Sequence, residues 1–133
     1  MSFHHQFPTG AYTVSVMLTP GVWINREELA LNIDDAADEL SEACKSFRFS
    51  YPQAVAVHKD GADVTATIMG VLVHRMNSRG RDRAFVEMDA DDPIRVYVEN
   101  YRRADWFDNW CDLERIGRHA LAEALPLGAL EVQ

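Results

Sequence analysis

The chain is poor in lysine. Of its 13 basic residues only Lys45 and Lys59 are lysines, and eleven are arginines. Against them stand 21 acidic residues, so the formal net charge is −8. Non-specific grip on phosphates rests on an excess of lysine and arginine, so direct nucleic-acid binding is not expected. Cysteine is equally scarce. Cys44 and Cys111 lie far apart, form no CxxC, and read as free thiols in a reducing cytoplasm. No stretch is rich in glycine, serine or proline, which excludes linkers and low-complexity segments. The longest apolar run, Ile68 to Val73, is far too short to span a bilayer. The opening stretch from Met1 to Pro8 lacks the charged-then-apolar plan of a signal peptide. A cytoplasmic protein without membrane contact is therefore expected. Catalytic signatures are missing as well: there is no glycine-rich phosphate loop, GxSxG, HExxH or zinc-ligand spacing. A binding protein therefore ranks ahead of an enzyme, and no cofactor is expected.

What is present is ordinary globular material. With 133 residues, 47% of them hydrophobic, the chain can bury a core without disulfides. Sixteen alanines and the preference for arginine over lysine match the coding bias of a high-GC bacterial genome or its mobile elements. Ala11 to Thr19 alternates as a strand and is stopped by Pro20-Gly21. Asn25 and Glu28 have the spacing of a helix cap, whereas Leu29 to Ile33 also alternates as a strand; the two readings stay open. From Ile33 to Phe47 the periodicity is helical, with Ala36, Ala37, Leu40, Ala43 and Cys44 on one arc. Gln53 to Lys59, the Asp60-Gly61 turn and Ala62 to Arg75 read as a hairpin that sets His58 opposite Asp63, with Gly70 as a bulge. Ala84 to Met88 and Ile94 to Glu99 read as further strands, and Asp105 to Leu125 as a helix stopped by Pro126. This order predicts an α+β fold: a single domain over 1–133, with a mainly antiparallel sheet of about five strands and two helices packed on one face. An N-terminal arm (1–10) and a C-terminal tail (126–133) would flank it.

The most distinctive feature is the outer arc of the first helix. Asp34, Asp35, Asp38, Glu39 and Glu42 share it with no lysine or arginine interposed. Like charges at this spacing repel by a few tenths of a kcal/mol per pair, so a chain selected for stability alone would mix the signs. Glu87, Asp89, Asp91 and Asp92 form a second acidic patch, whose spacing is better explained by turn chemistry than by calcium binding. Both patches suit a protein partner with a basic surface, and regularly spaced carboxylates can imitate nucleic-acid phosphates in an arginine-lined groove. A non-catalytic inhibitor of a nucleic-acid-processing or defence complex is the leading expectation. Arg75, Arg79, Arg81 and Arg83 are expected on a polar loop, as a secondary basic site for an acidic patch on a second copy.

Two other functions compete. An oligomeric assembly subunit would use the aromatic segment Tyr101 to Trp110 and the apolar tail. A small metal-dependent hydrolase would draw on His58, Asp63 and Thr65, or on the helical stripe Asp108, Asp112 and His119. Glu114 falls inside the apolar half of the last helix and needs a partner, for which Arg118 is placed one turn on.

Overall fold

The computed structural model describes residues 10–30, 33–45, 54–80 and 82–132. The expected N-terminal arm lies almost wholly outside the described residues. The chain opens with strands β1 (Gly10–Thr19) and β2 (Val22–Ala30). Proline presets φ at Pro20 and Gly21 supplies a φ of +80°, the requirement of a type II turn. The strands pair from Gly10 with Ala30 to Met17 with Trp23, so the stretch that also resembled a helix cap is extended. Helix α1 (Ile33–Lys45) follows, with Asp34 and Asp35 in its first turn and Lys45 in its last, as the helix dipole favours. Strand β3 (Ala54–Lys59) returns antiparallel to β1, and β4 (Ala62–Asp63) adds two residues across the Asp60-Gly61 turn. Both turn residues have positive φ, 53° and 82°, as a two-residue hairpin requires. The sheet order is β2-β1-β3-β4.

One sheet face carries Tyr12, Val14 and Val16 of β1 with Val55 and Val57 of β3. All five are buried, and the α1 residues Ala36, Ala37, Leu40, Ala43 and Cys44 complete the same core. This inner face of α1 is the one its periodicity predicts.

Beyond β4 the expected strands are helices. The α+β class holds, but the described residues form four strands and five helices instead of about five and two. Only Ala62 and Asp63 of the 62–75 segment are extended. The chain then turns into α2 (Thr65–Gly80) because Asp63 accepts hydrogen bonds from the Thr65 backbone N–H (2.9 Å) and hydroxyl (2.6 Å). The Thr65 hydroxyl oxygen also accepts from the Val57 N–H (2.9 Å), tying the helix start to β3. Ile68 to Val73 is apolar on every side because α2 packs between α1, β3 and the last helix. Helices α3 (Asp82–Glu87) and α4 (Pro93–Asn100) replace the other two expected strands. Asp92 starts α4 by accepting from the Ile94 N–H at 2.9 Å, and Pro93 fits the first turn, where a missing N–H costs nothing.

Helix α5 (Trp106–Val132) runs through Pro126, so the expected tail from 126 is helical to Val132. Its apolar half packs on α2 and α4, not on the sheet. Val73, Phe85, Val98, Trp110 and Leu113 form this second core, which meets the first at Met76, Ile94 and Tyr97. The α2–α5 crossing is a backbone contact. Gly70 is no bulge: a Cβ there would lie 2.5 Å from the Leu113 carbonyl oxygen, and a Cβ on Gly117 would fall inside the Gly70 carbonyl. No helix among the described residues is long and apolar enough to cross a membrane.

Candidate functional site

The five carboxylates of α1 lie on the side away from its buried arc, but they are not a bare row. Arg75 of α2 reaches across to them. Its guanidinium donates to Asp38 Oδ1 at 2.8 Å and to Asp34 Oδ1 at 2.9 Å, with a further bond to the Asp34 carbonyl at 3.0 Å. Burial works against the arginine's charge, yet the two carboxylates outweigh it and hold the guanidinium above its ordinary pKa. The Asp34 and Asp38 side chains remain 47% and 64% exposed. Glu42 is exposed, while Asp35 and Glu39 are half-buried. Each of these three also interacts with a neighbour.

The second acidic patch is a turn with structural duties. The Asp92 N–H donates to the Asp89 carbonyl at 3.0 Å, and the Asp92 carboxylate caps α4. Burial pushes the Asp92 pKa up, and crowding by Asp89 and Asp91 adds to this against the hydrogen bonds it receives from Ile94 and Arg95. Glu87, Asp89 and Asp91 are exposed, and Glu87 and Asp89 are engaged with neighbours. This turn adjoins α1, because Asp92 is close enough to bear electrostatically on Cys44. Burial is the larger influence on that thiol, whose pKa is pushed up to about 12.

The basic cluster is not on a loop between strands. Arg75 and Arg79 belong to α2 and Arg83 to α3. Arg81 and the side chains of Arg79 and Arg83 lie outside the described residues. Only Arg75 is seen to act, and its partners are the chain's own carboxylates.

The residues considered for chemistry are engaged in structure. His58 does face Asp63 across β3 and β4. The Thr65 hydroxyl, however, is buried and spent on Asp63 and on the Val57 backbone. These Thr65 bonds, aided by His58, hold the Asp63 carboxyl below its usual range. On α5, Asp112 pairs with Arg115 (2.7 Å) and Arg102 (3.2 Å), and His119 with Glu123 (3.4 Å). Among the described residues no three His, Cys, Asp or Glu side chains are grouped to hold a metal.

The structure assembles a cluster that the sequence did not suggest. Glu114 meets His74 of α2 at 2.7 Å, while the expected partner Arg118 stays at 3.9 Å. Beside this pair a cleft of about 310 Å³ opens, lined by Asn77, Phe107, Trp110, Cys111, Glu114 and Arg118, with Arg115 also on its wall. The Trp110 indole N–H donates to Asn77 Oδ1 at 3.3 Å, joining two residues of its lining. Phe107 is 44% exposed. His74 is not among the residues that line the cleft. Asn109 was also missed. It is buried, and its amide donates to the carbonyl of Val98 at 2.7 Å, with longer contacts to those of Arg102 and Ala104. It thus fastens the 101–104 connection to α5. Reading 62–75 as a strand and 77–82 as a loop hides His74 and Asn77, since their α5 partners become visible only once α2 is helical.

No family model matches the sequence, and neither a curated protein nor a solved structure matches it.

Proposed function

We propose that the protein works by binding, docking the carboxylate-rich side of α1 on a basic surface of a protein partner. The observation that carries this reading is the fixed display of Asp38. Its side chain is 64% exposed although Arg75 holds it at 2.8 Å. The buried arc from Ala36 to Cys44 locks the helix to the sheet. Carboxylates held in place before contact lose little freedom on binding, which favours affinity. Asp89 and Asp91 add two exposed carboxylates on the turn before α4. Neighbours four residues apart on a helix face are separated by about 5–6 Å at Cβ, so this edge suits a groove built for phosphates. Occupying such a groove would block a nucleic-acid-processing or defence complex without any bond chemistry. The overall charge of −8 steers a basic partner toward the protein.

The test compares capture from a native lysate by the wild-type chain and by Asp38→Lys/Glu42→Lys over a salt series. The expected result is a basic protein retained by the wild type, released as salt rises, and lost to the charge-reversed chain. Glu42→Lys alone leaves the Arg75 pairs intact and separates lost contact from lost folding, which circular dichroism reads. Retention of the same protein at the same salt by all three chains refutes the proposal.

A further inference from the structure

We draw no further inference here: the strongest candidate, the cleft between α2 and α5 lined by Phe107, Trp110 and Cys111, carries nothing because no feature of the structure shows what occupies it.

Discussion

Replacing Gly117 by alanine sets two effects of opposite sign against each other. In an ordinary helix the change stabilises by roughly 1 kcal/mol, because glycine is the weakest helix former after proline. Here the added Cβ falls inside the Gly70 carbonyl and against the Val71 nitrogen, both backbone atoms of a buried helix. No rotamer change relieves that overlap, so α2 and α5 must part by about 1 Å or more. A gap of that size forfeits a quarter to a half of each dispersion contact across it, with Leu113 and Trp110 packed nearby. Overpacking usually costs about 1 to 3 kcal/mol, and a backbone-on-backbone overlap belongs at or above the top of that range. Subtracting the helix-propensity gain leaves a net loss of about 2 to 3 kcal/mol. For 133 residues the unfolding entropy is roughly 0.28 kcal/mol per kelvin, so Tm should fall by about 7 to 11 °C. Thermal and urea melts measure it. The exposed Ala122→Gly change serves as control and should lose roughly 1 kcal/mol from propensity alone. A Gly117→Ala protein that is more stable than the wild type would refute the helix crossing.

Other consequences can be checked in the same preparations. Asp63→Ala removes the hydrogen bonds that start α2 and should cost about 1 kcal/mol at pH 7 in a urea melt. Because the folded Asp63 carboxyl is held below its unfolded value, its contribution is complete above roughly pH 4 and fades as pH falls through the folded pKa. The gap between wild type and variant should therefore close in acid, and a gap independent of pH would contradict the assignment. Asp92 has the opposite sign: its folded pKa is raised, so ionisation opposes folding as pH rises. Asp92→Asn keeps a good cap and should be at least as stable as the wild type at pH 7; a loss beyond about 1 kcal/mol would show that the charge helps. Asn109→Ala leaves the buried Val98 carbonyl without its donor and should cost about 1 to 3 kcal/mol by chemical denaturation. A soluble disulfide reagent at pH 8 should titrate one thiol in the native protein, the exposed Cys111, and two after unfolding. Burial keeps Cys44 protonated and out of reach, so two fast native thiols would contradict its placement.

The legible elements share one property: a polar side that exposes the period. In α1 the acids alternate with the buried arc every three to four residues, so both the helix and the direction it faces follow from the pattern. The strand β1 and the Asp60-Gly61 turn were equally plain, the second because only residues tolerant of positive φ fit there. The 68–73 segment has no polar side, and a run of buried residues looks the same in a central strand and in an enclosed helix. Its start signal, Asp63 two residues before Thr65, has two roles, since Asp63 also pairs with His58 across β3 and β4, and the alternation of the sequence displays only the pairing. At Asp92-Pro93 the sequence displays the turn but not the helix that it caps, because Ile94, Val96 and Val98 also alternate.

Sequence alone determined the acidic balance, the amphipathic α1 with its five carboxylates, and the Asp60-Gly61 hairpin turn. Each of these follows from charge counts or from φ preferences that residues carry wherever they are placed. Tertiary structure decided what those carboxylates meet, since Arg75 lies 37 residues beyond Asp38 and comes within 2.8 Å only when α2 packs beside α1. It likewise created the His74–Glu114 pair, the Gly70–Gly117 crossing and the aromatic cleft. Those features depend on how two helices approach each other, a distance that no single segment encodes.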